Sequence, residues 1–166
     1  MEEVIILQVE MLDLTRAEKN LILAESPEEI ATQTAAVDKA RADLLAELAK
    51  HRNVTTAEGK KIIDDVEAAV QKWAAVQGRM RDIITKGAPD ARVQANALSL
   101  TQARDLRGVA TKGLQAIVAL NHRLMDEAEA LSDQQFEKAQ RLLIIAAVLV
   151  TVIAAVSGIW ILLGFS

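Results

Sequence analysis

Cysteine is absent from this chain, so no disulfide, thiolate nucleophile or cysteine-ligated metal can form, and the redox compartment leaves no mark on it. Tyrosine is absent too, and aromatic residues make up only 2% of the sequence, which removes the stacking platforms of single-strand nucleic-acid binders. No lysine or arginine block stands out against a net charge of −4, so nucleic acid is not an expected partner. Proline occurs twice, at Pro27 and Pro89, and glycine seven times, which leaves few places where a helix must stop. What remains is rich in Ala, Leu, Glu, Lys, Arg and Gln, the composition of long helices, and strands are not expected.

The machinery of catalysis is missing from the pattern as well. His51 and His122 have no HxxxH or ExxH partner at ligand spacing and read as exposed or capping residues. Serines and threonines sit mostly at turns, with no GxSxG context, and no glycine-rich phosphate loop occurs. The expectation is a non-enzyme with no cofactor and no metal.

Three punctuation points divide residues 1–141, which hold every charge in the chain. Ser26-Pro27-Glu28-Glu29 combines a serine cap, a proline at the first helical position and a glutamate at the third. Thr55 and Glu58 have capping-box spacing after a break near 52–54, and in "KGAPD" Gly87 closes one helix before Pro89 or Asp90 opens the next. The helices predicted are about 2–25, 27–51, 56–86 and 90–141. Short turns between them imply an all-α, antiparallel up-down four-helix bundle.

Periodicity supports that bundle. Ile62, Val66, Ala69, Trp73, Val76, Met80 and Ile83 alternate spacings of four and three, the seam of a left-handed bundle, and Leu106, Ala110, Gly113, Ile117, Leu120 and Leu124 repeat it. The second segment is weaker, with Ile30, Val37, Leu44 and Leu48. In the first, Val4, Leu7, Met11 and Leu14 are followed on the same seam by Glu18 and only then by Leu21. A carboxylate stands where a core residue belongs, as register-fixing polar residues do.

After Arg141 the 25 residues 142–166 carry no charge. As a helix they cover about 37 Å, more than the ~30 Å of a bilayer's hydrocarbon core, so a C-terminal transmembrane helix that continues the last bundle helix is expected. Within it Ala154 and Gly158 form a small-xxx-small pair suited to close helix packing. Lys138 and Arg141 flank the run on its N-terminal side, which by the positive-inside rule alone puts the bundle in the cytoplasm.

The stretch "RAEKNLILAESPEEI", from Arg16 to Ile30, resembles the end of the first helix and the turn into the second in the sensor domain of bacterial methyl-accepting chemotaxis proteins. "EGKKIIDDVEAAVQKWAAVQGRMRDIITKG" is similar to that family's third helix, and a last helix entering an apolar run is similar to its exit into the membrane. The resemblance implies a periplasmic, ligand-sensing bundle in the inner membrane of a bacterium, homodimeric through helices one and four. Ligand occupancy would shift the last helix and so drive a HAMP linker and a cytoplasmic signalling coil. The sequence departs from that pattern at both ends: no first membrane helix precedes residue 4, and no HAMP or signalling region follows Ser166. The expectation is therefore a fragment or truncated gene of periplasmic origin.

Two cations and an amide share one face at Arg16, Lys19 and Asn20, a surface fit to receive a carboxylate. Counting from the turns at 25–26 and 87–89 places Asn20, Arg79, Arg81 and Asn96 near the same, membrane-distal end. Arg16, Lys19, Asn20, Arg79, Arg81 and Asn96 are thus the candidate ligand-binding residues, with Glu18 setting register. The leading expectation is a chemoreceptor sensory module for a small molecule. The alternative is a tail-anchored helical bundle that faces the cytoplasm and docks partner helices.

Overall fold

The structure, a computed structural model, describes the backbone of residues 2–164 and the side-chain surroundings of residues 5–145. Its elements are α1 (Glu2–Leu23), α2 (Pro27–Val54), α3 (Ala57–Lys86), α4 (Ala91–Leu98), a π-helical segment (Ser99–Ala103) and α5 (Arg104–Gly164). The fold is all-helical, a helical bundle with no strand among the described residues.

The turns form where local chemistry dictates them. At Ser26 the side chain accepts the Glu29 N–H at 3.1 Å, and the Glu29 carboxylate returns to the Ser26 N–H at 3.2 Å and the Glu25 N–H at 2.6 Å. These bonds satisfy donors that a helix start leaves orphaned, and they hold the Glu29 carboxyl below its ordinary range. Gly87 ends α3 with φ +69°, a left-handed conformation natural to glycine, and donates its N–H to Ile84 O at 3.0 Å. The two turns lie together, because Arg92, just past the second, donates to Ala24 O at the first at 3.1 Å.

The remaining boundaries differ from those expected. Helix α2 runs on to Val54, and the cap that opens α3 is Thr56, whose hydroxyl accepts from Gly59 N–H at 3.2 Å, rather than Thr55 with Glu58. Arg52, retained in the longer helix, pairs with Asp64 and reaches Glu67 at 3.7 Å on α3, and so braces this turn from outside. The last helix runs on past residue 141 as expected, unbroken from Ala91 to Gly164, but it holds an unexpected π segment that divides it into α4 and α5.

The chain divides into two compact units, Met1–Asn121 and His122–Ser166. In the first, the core is made of Leu7, Leu14 and Leu21 from α1, Val37, Leu44 and Leu48 from α2, Ile63, Val66, Trp73 and Met80 from α3, and Ala110, Leu114 and Ile117 from α5. Each fully buried leucine contributes about 1.5–3 kcal/mol of transfer free energy. The buried stripe of α3 is wider than a two-position seam. Ile63, Val70, Gln77 and Ile84 are buried, whereas the seam residues Ile62 and Ile83 are only half-buried. This helix packs against α1, α2, α4 and the π segment, and surrounded on several sides it needs more than one narrow apolar line.

The second unit is the stretch of α5 from His122 onward. Its described side chains are mostly exposed, among them Phe136 and the apolar residues Leu142–Ile145. Among the described residues no helix is long and apolar enough to cross a membrane. Most of the uncharged run, from residue 146 on, lies outside the residues whose side chains are described, and with it lie Ala154 and Gly158.

Candidate functional site

Glu18 stands on the face of α1 that also presents Leu7, Met11, Leu14 and Leu21, and like them it is buried, at 0% exposure. Ionised carboxylates are almost never placed there unless they are paired and hydrogen-bonded. Four donors meet this one. The Trp73 indole N–H and the Gln77 amide, the latter at 3.3 Å, donate to Oε2. Ser99 Oγ at 2.5 Å and Arg107 at 2.9 Å donate to Oε1. The carboxylate thus ties α1 to α3, to the π segment and to α5.

A second tier orients the donors. Ser99 Oγ, having given its proton to Glu18, accepts from Lys19 Nζ at 2.8 Å, which uses both capacities of the hydroxyl. The Arg107 guanidinium lies 5.7 Å from the centre of the Trp73 ring, in cation–π range, and its other arm donates to Ser99 O at 3.2 Å. That carbonyl also receives the Arg104 N–H, five residues on, the hydrogen bond that defines the π turn. The widened turn lets one carbonyl serve both the helix ladder and the arginine that neutralises Glu18.

Sequence spacing explains why the helix widens here. Ala91, Ala95, Ser99, Ala103 and Arg107 follow one another at strict intervals of four, and the first four are buried. In an α-helix of about 3.6 residues per turn, each such step overshoots by about 40°, so the row would wind off the inward face. A π turn takes up the surplus and keeps the row facing inward. Neither Ser99 nor Arg107 is singled out by the apolar seam, and the repeated interval of four is the signal that marks them.

The six residues expected to bind a ligand are dispersed rather than gathered. Arg16 is exposed and pairs with Asp13 on its own helix at 3.3 Å, while Lys19 is drawn to Ser99. Arg79 donates to Gln102 at 2.9 Å, and Asn20 and Asn96 are exposed. The proximity counted along helix axes does not bring side chains together, because each residue also has an angular position around its helix. Arg81, which bonds Asp82 at 3.1 Å, is the one that lines a described cleft, a space of about 310 Å³ between α1, α2 and α3. Thr34, Asp38 and Arg41 of α2 face it from one side, and Gln71, Gln77 and Gly78 of α3 from the other.

Of the two histidines expected to be exposed or capping, His51 lies in the last turn of α2, buried at 6% exposure, and His122 is exposed. Among the described residues no group of three or more His, Asp or Glu side chains is gathered to hold a metal ion. Compared with protein-family models, with curated proteins and with solved structures, the chain matches none.

Proposed function

We propose that this chain is the sensory module of a bacterial chemoreceptor of the methyl-accepting type, in which a small ligand displaces the last helix of the bundle. In this reading α1, α2, α3 and the composite of α4, the π segment and the first turns of α5 form an antiparallel up-down four-helix bundle on the periplasmic side of the inner membrane. Residues 142–166 span the membrane. The observation that carries the reading is the buried Glu18–Arg107 pair at 2.9 Å, which couples α1 to the helix that runs to Gly164. A buried ionic contact has few satisfactory geometries, so it favours discrete helix positions over a continuum.

Other features support the same reading. The first and third turns share one end of the bundle through Arg92 and Ala24, as up-down connectivity requires. Ile5, Val9 and Leu12 leave an apolar face open on α1, and Val109 is exposed on α5, surface suited to a homodimer through the first and fourth helices. In the membrane, Ala154 and Gly158 would let two spans approach closely.

A second reading, a tail-anchored bundle facing the cytoplasm, is favoured by Lys138 and Arg141 at the near end of the apolar run. Sidedness separates the two. Lys60, exposed on α3, is replaced by cysteine and intact cells are treated with a membrane-impermeant maleimide. Labelling is expected, and protection until the cells are lysed would overturn the periplasmic reading. Sensing is tested by joining the chain to a receptor signalling region and measuring kinase output across a small-molecule library. A flat output throughout would count against a sensor.

A further inference from the structure

The cleft between α1, α2 and α3 has a chemistry that the helix packing around it does not account for. Its volume of about 310 Å³ sits at the small end of the ~300–1,000 Å³ usual for ligand sites. Gln71, Gln77 or Gly78, and Arg81 follow helical spacing along one face of α3, and Thr34, Asp38 and Arg41 do so along α2. The two faces offer two guanidiniums against one carboxylate.

Gln77 stands between this cleft and the Glu18 cluster. It is 2% exposed, its Nε2 is committed to Glu18, and its buried Oε1 has no partner. Turning the amide over would set its oxygen against the Glu18 carboxylate, so the unfilled group is the acceptor. A buried acceptor without a donor is costly, and a ligand O–H would relieve it. Next to it, Gly78 occupies the middle of α3, where glycine weakens a helix relative to alanine. No side chain requires that glycine, because a Cβ added there would meet nothing within 4 Å.

We infer that this cleft is the ligand site, and that it takes a small hydroxy-monocarboxylate: the carboxylate on Arg41 and Arg81, the hydroxyl donating to Gln77. The inference rests on the sensor reading above and gives it a place and a ligand class. Asp38 and Asp82 already balance the two guanidiniums in charge, so the ligand carboxylate is held by directed N–H donors rather than by net charge. The arginines keep free donors for it, because Arg41 is engaged by Asp38 and Arg81 by Asp82 through only part of each guanidinium. Occupancy has a direct route outward. A ligand hydroxyl that moves the Gln77 amide alters one of the four donors on Glu18, and Glu18 holds Arg107 of α5.

The test is calorimetric titration of the full chain in detergent micelles with lactate and glycolate, against propionate, which lacks the hydroxyl, and serine, which adds an ammonium beside two guanidiniums. Lactate or glycolate is expected to bind at least about tenfold more tightly than propionate or serine. Arg41→Ala and Arg81→Ala should each weaken that binding by about tenfold or more. Gly78→Leu should fill the cleft and abolish binding while the thermal midpoint stays level or rises. No heat with either hydroxy acid, binding unchanged in the three variants, or serine binding more tightly than lactate would each overturn the assignment.

A thermal-shift screen of a wide metabolite library separates this failure from failure of the sensor reading. A compound that stabilises the wild-type chain and all three variants alike would overturn the cleft and leave a sensor standing. If no compound acts at all, both fall.

Discussion

Glu18 and Arg107, 89 positions apart in the chain, meet at 2.9 Å with the carboxylate wholly buried and the guanidinium 16% exposed. Contacts of this kind are asymmetric in their energetics. Assembling one gives little net stability over an apolar pair, but removing half of it strands a charge. Glu18→Ala is therefore expected to destabilise the bundle by about 3–5 kcal/mol in chemical unfolding followed by circular dichroism. Replacing both residues with methionine should recover the part owed to the stranded Arg107 charge, while Trp73, Gln77 and Ser99 still lack their acceptor. A double variant as unstable as the single one would show that the stranded charge does not set the cost.

Trp73→Phe keeps an aromatic ring at this position but removes the N–H that Glu18 accepts, together with part of the buried indole. The expected loss is about 1–3 kcal/mol. In a double-mutant cycle with Glu18→Ala, which removes the acceptor, the two changes should couple, because they share one hydrogen bond. Strict additivity of the two unfolding free energies would contradict this bond.

Gly113 marks a close approach of α5 to α3, where an added Cβ would fall 2.3 Å from Val66 Cγ2. Val66 is 1% exposed and has little room to yield. Gly113→Ala is thus expected to cost about 1–3 kcal/mol through overpacking, despite alanine's better helix propensity. Val66→Ala in the same chain should relieve part of that cost, and a Gly113→Ala variant more stable than wild type would refute the close approach.

The Glu29 carboxyl is held below its ordinary value of 4.5 chiefly by the Glu25 and then the Ser26 backbone N–H groups. A carboxyl with a lowered folded-state pKa contributes stability that is fully present above its unfolded value and is lost as pH falls through the folded value. Thermal midpoints of wild type and Glu29→Gln should therefore differ in favour of wild type at neutral pH and converge in acid below about pH 4.5. Ser26→Ala, which removes the reciprocal bond, should cost about 1 kcal/mol at neutral pH. A constant gap between wild type and Glu29→Gln across that range would rule out the charge as the source of the cap's strength.

How far the sequence could be read follows the range of each interaction. The Ser26 cap and the Gly87 stop are decided within a few residues and were legible, as was the apolar line through Val66, Trp73 and Met80. Glu18 was visible as a residue out of place, but its partners were not, because nothing local marks which of the chain's basic residues will face it. Trp73 counted as core, which it is, while its N–H makes it part of the polar cluster as well. The π turn leaves no mark on a seam of alternating threes and fours, because the row from Ala91 to Arg107 keeps to four throughout. The binding residues proposed from distance along the helix axes lacked the second coordinate, rotation about them, and of these Arg81 alone lines one of the described clefts.

The cluster around Glu18 also constrains how this sequence can change over time. Two oxygens serve four donors drawn from Trp73, Gln77, Ser99 and Arg107, so altering any one member leaves another buried group without its match. Drift at these five positions must then proceed by paired or simultaneous replacements, while the exposed helix faces vary freely. Distant kin of this chain should share that quintet, or a wholesale apolar substitute for it, long after overall identity has faded.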